Sequence, residues 1–240
     1  MSNSPPRGRR LTYCTELRNG DCLVQREFHR LYESMPEDFK AELIGGTVFV
    51  NEPLGVSHGD HHMRLGSIFD AYQASTPGTH GSDNATVILG EDDEVQPDLF
   101  LRVLPEYKGQ SRNTKPVGKA PNIKGPYVEG APELVAEIAY SSRAIDLHLK
   151  RQRYLHTGVI EYVVLCLSPL QIVWFDLRNG RMIEPDDAAV FRSIIFPGLW
   201  IHADALLTLD YRLSMDVLAR GIASPEHAEF VAFLATKRGL

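Results

Sequence analysis

Cysteine is scarce in this sequence of 240 residues, and only Cys14, Cys22 and Cys166 occur. No two of them have the short spacing of a zinc-binding or redox pair. An odd, sparse set of cysteines does not form a disulfide framework, so this composition indicates a reducing compartment. We therefore expect a cytoplasmic protein.

Positive charge is not in excess either, because 25 lysines and arginines stand against 31 acidic residues, for a formal net charge of −6. That charge has the wrong sign for a protein that coats nucleic acid with its whole surface, although a local basic patch is enough to hold phosphates. Long apolar runs are also missing. The stretch 159–175 is the longest, and its glutamate and proline favour two buried strands over a membrane span.

Several recognisable motifs are absent from the sequence. They are a Gly-rich phosphate loop, a Gly-x-Ser-x-Gly nucleophile turn, a Cys-x-x-Cys pair and a heptad array. Nothing therefore predicts an organic cofactor. Hydrophobic residues make up 43% of the chain, enough for a full core, and helical and strand-like patterns alternate, which predicts an α/β domain. We expect a flexible leader at 1–20, a domain at 21–208 with a long basic loop at 104–130, and a helical extension at 209–240. The apolar patterns also predict strands at 86–89 and near 161–167 and helices at 203–221 and 225–237, with Ser224 as the N-cap of the last helix.

Two acidic residues lie at the start of, or within, strand-like apolar runs. Asp98 stands at the start of the run 99–101, and Glu137 lies within the run 134–139. A buried carboxylate without a partner is costly, and a divalent metal ion is one partner that removes the cost. Because side chains alternate along a strand, two neighbouring strands can present Asp98 and Glu137 on one side of a sheet.

A longer pattern surrounds these acids. Its central part runs through Ala131-Pro132-Glu133-Leu134-Val135-Ala136-Glu137-Ile138, Ser141-Ser142, Asp146, Lys150, Tyr154, Gly158-Val159 and Glu161-Tyr162. Its outer parts are Glu42-Leu43-Ile44-Gly45-Gly46, Pro53 with His58, Pro97-Asp98 and Phe196-Pro197-Gly198-Leu199. In order and spacing, these residues resemble the bacterial Uma-two family of restriction endonucleases, within the PD-(D/E)xK nuclease superfamily, over residues 23–208.

The resemblance implies a restriction-endonuclease-like α/β fold for the domain at 21–208, with a mixed central sheet flanked by helices. It implies a Mg²⁺-dependent DNA endonuclease, with Mn²⁺ as the alternative ion, in which Asp98 and Glu137 are the metal ligands. Lys150 is then the group that orients and activates the attacking water. The superfamily expects this lysine two residues after the second acid, where the chain has Ala139; in the Uma-two pattern it is displaced to the following helix. We expect a homodimer, because two related sites can cut both strands of a duplex.

Further site residues follow from the resemblance and from charge. Glu42 is expected to be a catalytic acid that binds the metal or its water shell, with a solvated strand end as the alternative. His58 matches a family position near the active site, where it contacts the substrate phosphate or has a structural role. The loop at 104–130 has a surplus of three positive charges, which predicts either contact with a DNA phosphate or a solvated mobile loop. The lysines expected to contact DNA are Lys115, Lys119 and Lys124.

Two other functions stay open. The histidine-rich run 57–62 suggests a zinc hydrolase that uses His58, His61 and His62, although the ligand string of metallo-β-lactamases needs a histidine that Gly59-Asp60 does not supply. We expect His61 and His62 to be mostly exposed on a helix. A catalytically silent protein of the same fold, serving as a binding or assembly module, is the second alternative.

Overall fold

The computed structural model describes residues 16–36, 38–115 and 126–238. The α-helices are α1 (Gln25–Tyr32), α2 (Val56–Ser75), α3 (Arg151–Thr157), α4 (Ala203–Leu207), α5 (Tyr211–Ile222) and α6 (Pro225–Lys237). The strands are β1 (Ala41–Ile44), β2 (Thr47–Val50), β3 (Thr79–Asp83), β4 (Val87–Ile88), β5 (Glu94–Val95), β6 (Leu99–Val103), β7 (Arg112–Asn113), β8 (Val128–Glu129), β9 (Leu134–Ala139), β10 (Glu161–Leu167), β11 (Leu170–Asp176), β12 (Arg181–Ile183), β13 (Val190–Arg192) and β14 (Trp200–His202). Across these ranges, no helix combines the length and the apolar character needed to cross a bilayer.

A mixed six-stranded sheet, the central sheet, has the strand order β12-β11-β10-β9-β6-β3. Strands β9 and β10 pair in parallel, and the other neighbours pair antiparallel. A second six-stranded sheet, with the order β2-β1-β5-β4-β8-β7, consists of strands of two to four residues. The predicted α/β class with a mixed central sheet and flanking helices is confirmed, whereas the second sheet was not predicted.

Side-chain alternation divides the core between the two faces of the central sheet. Leu99 and Leu101 of β6 pack with the buried face of α2, together with Leu134 of β9. Phe100 and Val135 point to the opposite face, where side chains from α3 and the second sheet cover them. Residues of even number on β6 and of odd number on β9 therefore face α3 and the second sheet.

The connection from β9 to β10 contains a π-helical segment, Ile145–Lys150, that continues directly into α3. Single π-helical turns widen a helix locally and are frequent at functional sites. Helix α3 ends at Gly158, whose φ of 99° is left-handed, a conformation that glycine adopts without steric cost. This crossover returns the chain to β10, parallel to β9, and carries Lys150 to the sheet face described above.

Two predicted segments differ from the structure. The stretch 104–130 is not only a loop, because it contains a 3-10 turn at Pro105–Tyr107 and the short strands β7 and β8, and β8 pairs in parallel with β4. Residues 116–125 of this stretch lie outside the described ranges, as do residues 1–15 of the predicted leader.

The predicted helix from 203 to 221 is in fact two helices, α4 and α5. The chain does not continue as one helix, because the Asp210 side chain accepts a hydrogen bond from the Leu213 N–H and so caps the start of a second helix. The last helix, α6, has the predicted bounds, and Ser224 caps it by accepting from the His227 N–H. Helices α5 and α6 contribute Leu218 and Leu234 to the core on the α2 side of the central sheet.

Glu161, at the start of β10, is fully buried and accepts four hydrogen bonds. The donors are the N–H groups of Ile194 and Ile195, the Trp174 indole and the Ser193 hydroxyl. Glu161→Ala is expected to lower the free energy of unfolding by at least ~3 kcal/mol, because buried donors without acceptors cost about 1–3 kcal/mol each. Chemical denaturation checks this result, with Glu129→Ala, a partly exposed acid that pairs with Arg112, as the control. Equal losses in the two variants would contradict it.

Candidate active site

Asp98 and Glu137 lie beside each other where β6 begins and β9 ends. Leu99 pairs with Ala136, so the next step of this antiparallel register places Asp98 opposite Glu137. The Asp98 N–H donates to Glu137 Oε2 over 3.4 Å, and the Ile138 N–H donates to Asp98 Oδ2 over 2.7 Å. Glu137 therefore points to the sheet face that α3 and the second sheet cover, and the Asp98 carboxylate lies at the end of the sheet, where Oδ2 is 3.2 Å from His58 Nε2 on α2.

Lys150 reaches the same point from the π-helical segment. Its Nζ lies 2.9 Å from Glu137 Oε1, 2.9 Å from Glu42 Oε2 on β1, and 3.7 Å from Asp146 Oδ1. The other oxygen of Glu42 accepts a hydrogen bond from the Gln96 N–H over 2.8 Å. We call the group of Glu42, Asp98, Glu137, Asp146 and Lys150 the acid cluster. Its members come from both sheets and from the crossover, so the fold itself brings them together.

Two tyrosines contribute further contacts. The Tyr154 hydroxyl on α3 donates to Glu137 Oε1 over 2.9 Å, and the Tyr162 hydroxyl on β10 donates to the Asp146 carbonyl over 3.1 Å. Tyr154 and Lys150 therefore share one oxygen of Glu137, which fixes the orientation of this carboxylate. The other oxygen is directed to Asp98.

The acid cluster has more negative than positive charge. All five members are buried, and four carboxylates face one ammonium, which gives a formal charge of −3 when every carboxyl is ionised. Burial raises the pKa of Glu137 well above its ordinary range, and the charges of Asp98 and Asp146 add to the increase, while Lys150 opposes it. Burial likewise raises the pKa of Asp146. The excess of negative charge makes this region favourable for a cation.

The pKa values of Lys150 and Asp98 both shift in the direction that favours the charged form. Burial favours the neutral amine of Lys150, but the carboxylates of Glu137 and Glu42 outweigh burial, so its pKa is well above the ordinary value and the side chain is an ammonium. Burial also opposes ionisation of Asp98. The hydrogen bond and the charge of His58 outweigh that effect, so the pKa of Asp98 is below the ordinary value.

These residues fit a hard divalent cation. Carboxylate oxygens are the ligands that Mg²⁺ prefers, and one or two of them are sufficient when water and substrate phosphate complete the shell. Asp98 and Glu137 lie next to each other, and the uncompensated charge of the cluster is of the right sign. A divalent ion would therefore stabilise the carboxylates that Lys150 alone does not neutralise.

Comparison with known proteins identifies the family. A family model described as "Uma2: Putative restriction endonuclease" matches residues 25–208, which is more than half of the chain. The chain belongs to the Uma2 family. The resemblance inferred from the sequence motifs is thereby confirmed. No curated protein matches this Uma2 chain.

A solved structure supports the fold of the Uma2 chain. The crystal structure of "a putative nuclease belonging to DUF820" from Anabaena variabilis superposes with a TM-score of 0.51 at 12% sequence identity. The match covers 80% of this chain and 97% of the other. At so low an identity, the likeness shows the fold alone. The predicted restriction-endonuclease-like fold is confirmed.

The histidines of α2 do not have the arrangement that the zinc-hydrolase alternative requires. His58 Nε2 lies 3.2 Å from Asp98 Oδ2, and His62 Nδ1 lies 4.0 Å from Asp98 Oδ1. His61 is directed elsewhere, because its two ring nitrogens lie 2.8 Å from the Ser57 carbonyl and 3.3 Å from the Leu207 carbonyl. A zinc site built from His58, His61 and His62 therefore does not form. The expected exposure of these residues was also wrong, since His61 is buried and the His62 side chain is only 15% exposed.

The basic residues predicted to contact DNA lie apart from the acid cluster or outside the described ranges. Lys115 is exposed and follows β7 closely, and the hydrogen bonds and ion pairs between described residues do not connect it to the cluster. Lys119 and Lys124 belong to the stretch 116–125, which lies outside the described part of this Uma2 chain. The role of these three lysines stays a prediction.

Sequence reasoning missed three residues that the structure brings to the site. Asp146 and Tyr154 belong to the family pattern, but neither was predicted to have a part in the site, and His62 was predicted to be exposed. The spacing gave a signal for two of them. Asp146 stands four residues before Lys150, and His62 four residues after His58, and residues four apart share one helix face.

Proposed function

We propose that this chain is a Mg²⁺-dependent DNA endonuclease with the acid cluster as its active site. The observation that carries the proposal is the contact of the Lys150 ammonium with Glu137 and Glu42 at the point where Glu137 meets Asp98. Two adjacent acids and one lysine are the groups expected in a nuclease with the PD-(D/E)xK pattern. The family's description and the name of the Anabaena protein both refer to nucleases, which supports this choice of chemistry.

Each residue has a distinct part in the proposed reaction. Asp98 and Glu137 would hold the metal ion, which when bound would neutralise charge on the phosphate and favour hydroxide formation from its water. Glu42 holds Lys150 in place through Oε2, while its Oε1 accepts from the Gln96 N–H. Lys150 is a protonated ammonium with three N–H donors, so it orients the attacking water through a hydrogen bond and favours hydroxide through its charge.

Cleavage of duplex DNA would involve two further features of the protein, His58 and a homodimer. His58, next to Asp98, is close to the position that a substrate phosphate would take. A homodimer would present two such sites, one for each strand of the duplex. Light scattering of the purified chain alone and with a short duplex tests the second point, and a particle with the mass of one chain in both samples would contradict it.

Cleavage of supercoiled plasmid tests the proposed activity. With Mg²⁺ or Mn²⁺ the purified chain is expected to produce nicked and then linear DNA, and a chelator should stop the reaction. Cleavage that continues in the chelator would contradict metal dependence. DNA binding without cleavage in either metal would instead favour the catalytically silent binding module.

A separate prediction concerns the basic stretch. Replacing Lys115, Lys119 and Lys124 together by alanine is expected to weaken DNA binding and to lower the slope of log Kd against log salt by about one for each lost phosphate contact. Fluorescence anisotropy at several salt concentrations measures this slope. The matched control removes three cations from the C-terminal helices: Arg212, Arg220 and Lys237. Equal changes in the two triple variants would show that total charge, rather than this stretch, determines binding.

A further inference from the structure

His58, His62 and Asp98 bring three possible metal-ligating atoms together. One atom from each residue lies within 4.8 Å of the atoms from the other two. The two histidines stand one helical turn apart on α2, so their rings meet edge to face with centroids 5.9 Å apart. His58 and Asp98 are buried, and His62 is mostly buried. We call these residues the histidine group.

Among the described residues, one buried atom of the histidine group lacks a hydrogen-bond partner. His62 Nε2 is buried without one, and its nearest carboxylate oxygen, Asp83 Oδ2, is 3.9 Å away. The hydrogen bonds that Asp98 accepts from described residues both go to Oδ2, which leaves Oδ1 facing His62. Buried polar atoms are normally satisfied by protein, water or an ion. The histidine group therefore has ligating capacity that the protein does not use.

A groove borders the histidine group at His62. It runs between α2 and β3 and is lined by His62, Gly66, Asp83 and Leu99 among others. No arginine or lysine is among its lining residues, so a cation that enters it meets no positive charge from the groove itself. An ion in this groove can thus reach His62, whereas the Lys150 ammonium is held by Glu137 and Glu42.

We propose that the histidine group is a second metal position, which binds a divalent transition-metal ion through imidazole nitrogen. Two imidazoles and one carboxylate suit Co²⁺, Ni²⁺ or Zn²⁺, whereas an all-carboxylate set suits Mg²⁺. Asp98 belongs to both positions, so it can bridge the two ions. Paired ions in hydrolases act together on the attacking and leaving oxygens. That catalytic part rests on the proposed function, but the binding of the ion does not.

Cobalt is the probe, because the visible absorption of Co²⁺ reports its ligands and geometry. Titration of the metal-free full-length chain is expected to give one saturating absorption band. His62→Gln and His58→Gln should each weaken Co²⁺ binding by at least ~100-fold, since loss of even an outer-shell partner typically costs 10–100-fold in metal affinity. Circular dichroism establishes that each variant is folded, and Gln keeps a polar side chain of similar length at both positions.

The adjacent His61 provides the matched control, since it lies on the same helix but is directed to backbone carbonyls. His61→Gln should keep the Co²⁺ affinity of the wild type. His148→Gln, which changes an exposed histidine, gives the same comparison if His61→Gln fails to fold. Equal Co²⁺ affinity in wild type and His62→Gln, or no absorption band in the wild type, would overturn the proposal.

Glu137→Gln separates this inference from the proposed nuclease function. This variant should lose Mg²⁺-dependent cleavage but keep the Co²⁺ band, because Glu137 is not part of the histidine group. If the wild-type chain cleaves no DNA with any metal but shows a Co²⁺ band that depends on His62, the nuclease proposal is contradicted and the proposed metal position is supported. Mg²⁺-dependent cleavage without a Co²⁺ band would remove only the metal position.

Discussion

Lys150→Ala is expected to lower the rate of Mg²⁺-dependent plasmid cleavage by about 10²–10⁴-fold, a loss of the size usual for a positioned group that helps to form the attacking hydroxide. The variant removes the ammonium that lies 2.9 Å from both Glu137 and Glu42. Without it, no described cation is left in the acid cluster to orient the attacking water. The rate under single-turnover conditions is the measurement, because it is not limited by product release.

The same change should also lower stability. Lys150 is buried, so alanine leaves carboxylates without their partner, and breaking a buried ion pair from one side typically costs about 3–5 kcal/mol. A bound divalent ion restores part of this loss, because it binds the folded state and supplies the missing positive charge. Thermal unfolding with and without Mg²⁺ should therefore show a larger increase in Tm for Lys150→Ala than for the wild type.

Arg151→Ala is the control for both measurements. Arg151 is the next residue, is exposed and stacks on the Phe175 ring rather than entering the acid cluster. Its replacement should change neither the cleavage rate nor the response of Tm to Mg²⁺. A folded Lys150→Ala variant with the cleavage rate of the wild type would contradict the role given to Lys150.

Asp98→Asn should have an effect at least as large, with cleavage reduced by ~10³-fold or more. The metal ion supplies several kcal/mol of transition-state stabilisation, and each 1.36 kcal/mol changes the rate tenfold. Asparagine keeps the shape of the side chain and an oxygen that accepts from the Ile138 N–H, so the backbone contact can persist. Calorimetry should show weaker Mg²⁺ binding together with the lost activity.

Asp70→Asn provides the comparison for Asp98→Asn. Asp70 is an exposed carboxylate on α2 that accepts a hydrogen bond from Gln73 and takes no part in the acid cluster. We expect wild-type cleavage and Mg²⁺ affinity for this variant. If Asp98→Asn also kept the Mg²⁺ affinity of the wild type, Asp98 would not be a metal ligand.

Elements with a regular apolar pattern could be predicted from the sequence. The strand β10 has the predicted bounds, and α6 begins and ends as predicted, because their signals are local: an apolar run in one, and a serine cap followed by proline in the other. The break between α4 and α5 was missed. Apolar residues continue through this break, so the pattern predicted one helix, but the N-cap at Asp210 starts a second helix.

The second sheet could not be predicted in the same way. Its strands β5, β7 and β8 have two residues each, too few to show an alternation of polar and apolar side chains. Their pairing also joins parts of the chain that are distant in sequence, as in β4 with β8. Such strands depend on tertiary contacts rather than on local preference.

The acid cluster was predictable in part because the family pattern contains its acids and its lysine. The structure brings Glu42, Asp98, Glu137 and Lys150 together. Their precise contacts were not predictable, because a π-helical segment presents Asp146 and Lys150, and helical periodicity does not reveal such a turn. The position of His62 beside Asp98 depends on how α2 packs against β6, which no local pattern encodes.

The central claim is that the acid cluster hydrolyses DNA, and plasmid cleavage by Glu137→Gln tests it most directly. Glutamine keeps the shape of the side chain but removes the charge that a metal ion needs. Wild type and variant are purified in the same way, shown to be folded, and assayed at equal concentration in Mg²⁺. We predict that the wild type nicks and linearises the plasmid and that the variant leaves it supercoiled. Equal cleavage by both proteins would contradict the claim, because the activity would then come from another site or from a contaminating nuclease.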